Sequence, residues 1–194
     1  MNIKHNKEEV LKTGLGMFCN TGYNKLGIDE ICKVTSMTKG AFYNAFKSKE
    51  QFLIEAILIY AKNNVNRIKA QLQANDKLTA YERLGLFYTN MLEVQPKVNY
   101  MGCFINNMMS ELGASNEKVG LATTKAFDEF MEAIEPTVLE AQQNNELTAA
   151  FNARELTELF HSTFYGLLTR AKSSKDYQKS INTMQILFNN LKIK

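Results

Sequence analysis

"TSMTKGAFYNAFKSKE", residues 35–50, decides how this chain is read. Ala41, Phe42 and Phe46 fall on one side of a short helix starting near Thr38, and Thr38, Lys39, Tyr43, Asn44 and Lys47 lie away from that side. Such a helix either carries an ordinary solvated face or is shaped to lie against something polar and negatively charged. Its neighbours in the chain decide between the two.

Upstream, Val10, Leu11, Leu15, Phe18 and Cys19 recur at three- and four-residue spacing, which predicts an amphipathic helix closed by Gly22. "IDEICKV" (28–34) places Ile28, Ile31 and Val34 on one side of a second, short helix, and a break at "TSM" separates it from the third. Two short helices across a three-residue turn, packed on a longer one, read as a helix-turn-helix unit. Downstream, "SKEQFLIEAILIYAKNNVNRIKAQL" (48–72) opens with Ser48 as N-cap and Gln51 at capping-box spacing. Its apolar positions persist for about seven turns at the usual helical period, so this helix leaves the small unit and enters a larger one as a mechanical link.

The rest of the chain is also helical in pattern, with segments expected at about 78–95, 103–112, 117–145, 153–172 and 177–191. Only two prolines and ten glycines interrupt 194 residues, so an all-α fold is expected. Pro136 predicts a kink or break between Ile134 and Thr137. The connections, among them "ANDK", "PKVNYMG" and "KSSKD", are short, as in a compact bundle. The last two helices are rich in large apolar groups: Leu156, Leu159, Phe160, Phe164, Leu167 and Leu168, then Tyr177, Ile181, Met184, Leu187, Phe188 and Leu191. That is more than one small core is expected to absorb, and the surplus points to a subunit interface.

Three cysteines, Cys19, Cys32 and Cys103, are odd in number and widely spaced, which argues against a disulfide framework or a thiolate zinc site and fits a reducing cytoplasm. The polar start and the short, Glu55-bearing run "FLIEAILIYA" predict neither export nor membrane spanning. Residues 1–50 hold eight lysines and five acids, and the remaining residues are balanced, so the whole formal net charge of +3 sits in the first quarter. This is the sign of an electrostatic footprint for phosphates.

A recognition helix presents its first turns to base edges while its flanks clamp phosphates. Thr38 and Lys39 stand at the amino-terminal end of the third helix, Gly40 allows close backbone approach, and Tyr43 and Asn44 lie opposite Phe42 and Phe46. Lys49 opens the next helix, where its ammonium and free amides can share one phosphate.

Residues 8–54 resemble the DNA-binding domain of the tetracycline-repressor (TetR) family of transcriptional regulators. The match runs through "VLKTGLGMFCNTGY", "IDEICKVTSM" and "TKGAFYNAFKSKEQFL", with Gly22, Ile31, Lys39, Gly40, Tyr43, Phe46, Lys49 and Glu50 in family register. Three departures stand out. Gly27 replaces a Thr or Ser cap, Ser36 replaces a turn glycine, and Thr13-Gly14 replaces an alanine pair; each is expected to loosen the small domain slightly. The resemblance implies a three-helix DNA-binding domain (1–50) joined by a long helix to a ligand-binding and dimerisation bundle (51–194). Carried over by position, it assigns Thr38, Lys39, Gly40, Tyr43, Asn44 and Lys49 to DNA, with Lys39 and Asn44 on guanine and adenine edges and Tyr43 and Lys49 on phosphates. Tyr43 reads equally as an aromatic bracing the helix.

The same resemblance implies a homodimer through the last two helices, a palindromic double-stranded operator, a small-molecule effector and, by default, repression. Phe87, Tyr88, Met91, Tyr100, Phe127, Met131 and Phe164 offer an aromatic and Met-rich wall for an apolar or aromatic effector, although such residues also make plain core. Asn107 and His161 are candidate hydrogen-bonders to it. "YMGCFINNMMSELG" (100–113) sets Cys103 near a helix start and Glu111 eight positions on, a pattern similar to that of a family subgroup. Cys103 is therefore either a sensor of electrophiles or oxidants, favoured as thiolate by the helix dipole, or an inert core thiol. With only His5 and His161, no metal site assembles, and no nucleophile-base pair, P-loop or dinucleotide fingerprint is present. No cofactor and no enzymatic activity are expected; an interaction scaffold without DNA binding is the remaining alternative.

Overall fold

The computed structural model describes residues 6–73 and 77–193. Among them are nine α-helices and one 3-10 turn, and no strand. His5 and most of the "ANDK" break lie outside the described residues.

Local signals set the ends of the first four helices. α1 (Lys7–Thr21) begins where the Asn6 side chain accepts from the Glu8 amide, and ends at Gly22, whose φ of 80° suits a residue without Cβ. α2 (Ile28–Thr35) starts at Gly27 with no side-chain cap and stops at Ser36, held in the left-handed region at φ 55°. α3 (Lys39–Phe46) is capped by Thr38, whose hydroxyl accepts from Ala41 N–H at 3.1 Å. α4 (Lys49–Leu72) is capped by Ser48, which accepts from Gln51 N–H at 3.0 Å; Gln51 turns its amide towards Glu55 rather than completing the box.

The chain packs as two compact units, Met1–Asn63 with Phe104–Phe127, and Asn64–Cys103 with Asp128–Lys194. α4 and α7 (Glu117–Gln143) each run through both. In the first unit Phe42, Phe46 and Phe52 form a mutually tilted cluster with centroids 4.7–5.3 Å apart, and Phe18 reaches Phe52 at 5.8 Å. Each is at most 1% exposed, worth about 1.5–3 kcal/mol of apolar transfer apiece. Phe104, at the start of α6 (Phe104–Leu112), joins this core against Phe18 and Tyr60. Gly14 proves structural. A Cβ there would stand 2.3 Å from Phe52 Cζ, so the glycine makes room for the ring rather than loosening α1.

The second unit is built on α5 (Ala80–Glu93), α8 (Ala153–Ser174) and α9 (Tyr177–Leu191), with the 3-10 turn Gln95–Val98 after α5. Phe160 and Phe188 stack at 4.3 Å with planes 4° apart, and Tyr88 meets both. Buried Arg83 fastens the segment between α4 and α5: Nε donates to the Leu72 carbonyl, Nη1 to that of Leu78, and Nη2 to Glu140.

Two expectations are corrected. Of the kink or break expected at Pro136, the break does not occur: α7 continues through Pro136 as one helix. Proline removes one i→i−4 bond, but Ile134 and Val138 on either side are fully buried and hold the helix in place. The apolar surplus of α8 and α9 is also smaller than expected, since of those twelve side chains only Leu159 is exposed and Tyr177, Leu187 and Leu191 are half-buried. One chain absorbs the rest.

Candidate nucleic-acid interface and ligand site

α3 is two-sided in the way its sequence demands. Phe42 and Phe46 are buried, while Lys39, Gly40, Tyr43 and Asn44 are exposed together with the cap Thr38. Tyr43 is 47% exposed and also meets Phe42 edge-on at 5.8 Å, so its ring braces the helix while about half of the residue stays open to solvent. Among the described residues nothing requires glycine at position 40, where an added Cβ would meet Thr38 Oγ1 at 4.0 Å. Lys47 Nζ donates to the Asn44 carbonyl, which leaves the Asn44 side-chain amide uncommitted to that bond.

The charges on this face have partners that sequence reading missed. Lys39 Nζ lies 2.7 Å from Asp29 Oδ1 in the first turn of α2, and the hydrogen bond and charge of Asp29 raise the lysine's pKa. Lys49 is half-buried, with its ammonium 4.1 Å from the centre of the Tyr23 ring. Burial pushes its pKa down and the charge of Glu111 pushes it up. Glu50 accepts from Asn116 and Lys118, which hold its carboxyl below the usual range.

The ligand candidates in the second unit cluster in part. Phe87 and Tyr88 meet at 5.0 Å, and Tyr88 and His161 each pack on Phe164 at 5.5 Å. The Tyr88 hydroxyl lies 3.5 Å from His161 Nδ1. Both groups are buried; burial lowers the His161 pKa to about 3 and raises that of Tyr88, so at neutral pH this pair carries no charge. Tyr165 belongs here as well: its ring sits 4.7 Å from His161, and its hydroxyl accepts from the Cys103 thiol at 3.4 Å. The signal was available, since Tyr165 follows His161 by one helical turn.

The other candidates are scattered. Met131 is fully buried and Met91 half-buried. The Tyr100 hydroxyl donates to the Lys175 carbonyl at 2.7 Å. Asn107 and Phe127 belong to the first compact unit and are half-buried. The residue before Cys103 is held by Gln95, whose side chain accepts from Gly102 N–H at 3.0 Å while donating to the Met91 carbonyl. A separate surface cavity of about 390 Å³ lies among Lys69, Leu72, Glu132, Pro136 and Glu140, and none of the candidates lines it. Among the described residues no group of three or more His, Cys, Asp or Glu could hold a metal ion, and no helix is long and apolar enough to cross a membrane.

Comparison with known proteins bears on the family and the fold. Residues 10–56 match the bacterial regulatory proteins of the tetR family, and residues 80–187 match a tetracyclin repressor-like C-terminal domain. The transcriptional regulator AcuR of Cereibacter sphaeroides is 29% identical over 169 residues, 85% of this chain and 75% of that protein. The transcriptional repressor DhaR of a Mycobacterium species is 20% identical over 182 residues, 94% of this chain and 90% of its own. Among solved structures, the reduced form of Escherichia coli NemR superposes with a TM-score of 0.85 at 20% identity, covering 97% of both chains. A TetR regulatory protein from Rhodobacter sphaeroides gives 0.84 at 25% identity, covering 96% of this chain and 98% of that one. The chain belongs to the tetracycline-repressor family: it is a transcriptional repressor of that type, with a helix-turn-helix for binding DNA.

Proposed function

We propose that residues 1–50 form the DNA-binding domain and residues 51–194 the ligand-binding and dimerisation domain of a cytoplasmic repressor that works as a homodimer. It binds a palindromic operator and is released by an apolar or aromatic small molecule. The observation that carries the reading is the divided surface of α3, with Phe42 and Phe46 buried and Lys39, Tyr43 and Asn44 exposed behind a Thr38 cap. Lys39 and Asn44 are assigned to guanine and adenine edges, Tyr43 and Lys49 to phosphates. Gly40, which no contact among the described residues demands, lets the duplex approach the helix backbone.

Pairing runs through α8 and α9, where Leu159 is 41% and Ile186 62% exposed, and where Gly166 leaves open space for a partner helix. Two-fold pairing sets the recognition helices about 34–36 Å apart, one turn of duplex. The effector enters the aromatic cluster of Tyr88, His161 and Phe164. It is uncharged, because the neutral imidazole and phenol there offer hydrogen bonds and no counter-ion. Binding tilts α4 and shifts the dimer between two spacings, by as much as the effector's affinity differs between them.

A second reading rests on Cys103. Its thiol lies just before α6 and donates to the Tyr165 hydroxyl, so modification of the sulfur by an electrophile or oxidant would reach the same cluster. The test is genomic-fragment selection with purified protein, followed by a release screen with small molecules and electrophiles. Recovery of palindromic fragments supports the regulator, and failure to retain any fragment ends it in favour of an interaction scaffold. An electrophile response that survives in Cys103→Ser ends the cysteine reading.

A further inference from the structure

The turn after α1 closes on a carboxylate from far along the chain. Tyr23 N–H donates to Glu111 Oε2 at 3.0 Å, Asn24 N–H to Oε1 at 3.0 Å, and the Asn24 side-chain amide to Oε1 at 3.1 Å. Gly22, at φ 80°, completes the fit, because a Cβ there would stand 3.2 Å from Oε2. Only a carboxylate, with acceptors on both oxygens, satisfies all three donors; an amide would aim an N–H at one of them. The Tyr23 ring is stacked on Phe18 at 6.0 Å and carries the Lys49 ammonium at 4.1 Å. Lys49 is the first residue of α4, so the carboxylate in the last turn of α6 fastens the backbone of the residue on which that lysine rests.

We infer that Glu111 is a positioning residue for the duplex contact of Lys49: it fixes the turn that holds the Tyr23 ring, and the ring holds the ammonium at the start of α4. The inference rests on the reading of Lys49 as a phosphate contact. A lysine on a free stem loses rotamer freedom when it meets a phosphate, and one already resting on a ring loses less, so binding tightens without a new contact. It also gives Glu111, singled out by its spacing from Cys103, a definite task.

Four full-length proteins test this on one labelled duplex recovered by genomic-fragment selection: the natural chain, Glu111→Gln, Lys49→Ala and the double variant. Lys49→Ala should weaken binding and lower the salt slope by about one. Glu111→Gln should weaken binding by roughly three- to tenfold in the natural background, the scale of a lost preorganised side chain, and should change nothing in the Lys49→Ala background. An equal loss in both backgrounds, the signature of general loosening, overturns the inference. Lys49→Ala with natural affinity overturns it too, by removing the contact itself, whereas a natural chain that binds no duplex overturns the DNA reading as a whole. Should Glu111→Gln fail to fold, Tyr23→Phe and Tyr23→Leu replace it. The phenyl ring should keep affinity and leucine should lose it only where Lys49 is present; leucine losing it equally in both backgrounds contradicts the inference.

Discussion

Lys39 Nζ and Asp29 Oδ1, 2.7 Å apart, join the first turns of α3 and α2 across the connecting turn. The two side chains are 64% and 74% exposed, so the pair does little for stability. It matters for binding, because Lys39 must leave Asp29 to reach a base edge and the carboxylate then stands unpaired near phosphates. Asp29→Asn should therefore tighten binding to duplex of any sequence by about two- to fivefold and leave sequence preference unchanged. Anisotropy titrations against selected and scrambled duplexes measure both; weaker binding by the variant would contradict this account.

Gly14 and Gly27 have opposite standing. A methyl at position 14 would meet the Phe52 ring, so Gly14→Ala should cost about 1–3 kcal/mol through overpacking. Gly27 caps α2 without a side-chain bond and has open space at its Cβ, so Gly27→Ser should add a few tenths of a kcal/mol. Urea midpoints with an unchanged slope would register the pair of shifts.

This contrast marks how far the sequence could be read. Helix positions were legible because their signals are local: apolar spacing in α1, a third helix starting near Thr38, Ser48 as cap, Gly22 as exit. The polar face of α3 was legible for the same reason, since Phe42 and Phe46 one turn apart fix which side is inward. What could not be read depends on partners remote in sequence. The Phe52 ring that demands Gly14, the Glu111 carboxylate that receives Tyr23 and Asn24, and Asp29 opposite Lys39 become neighbours only once the helices pack. Pro136 misled for a related reason, as buried Ile134 and Val138 outweigh a local helix-breaking preference. In the second unit, large apolar residues look alike whether they line a site or fill a core; His161 stood out as polar in the sequence, but only packing showed that Tyr88 and Tyr165 are the groups beside it.

His161 predicts an acid-sensitive fold. Its pKa is depressed by burial to about 3, below the ordinary 6.5, so the unfolded chain takes up the proton first. The stabilising contribution of the neutral imidazole is full above pH 6.5 and drains away as the pH falls from there towards 3, by at most about 1.4 kcal/mol per pH unit. Urea unfolding of the natural chain between pH 7.5 and 5 should show this slope, and His161→Phe should flatten it. Equal slopes would place the titration elsewhere.

Arg83 is 3% exposed and meets Glu140, which is 40% exposed. Glu140→Gln leaves the guanidinium with its two carbonyl partners and no counter-charge, which should cost about 1–3 kcal/mol, less than for a fully buried pair because water reaches the carboxylate side. The double variant Arg83→Met with Glu140→Gln should cost less than the sum of the two single changes, and a thermal-shift cycle over both positions measures that coupling.

The most direct test of the central claim, that α3 reads duplex DNA, compares Lys39→Ala and Lys49→Ala on selected and scrambled duplexes over a range of salt. The account predicts that Lys39→Ala weakens the selected duplex by about 1–3 kcal/mol and flattens sequence preference, whereas Lys49→Ala weakens all duplexes alike and lowers the salt slope by about one. Natural affinity and preference in both variants would contradict it.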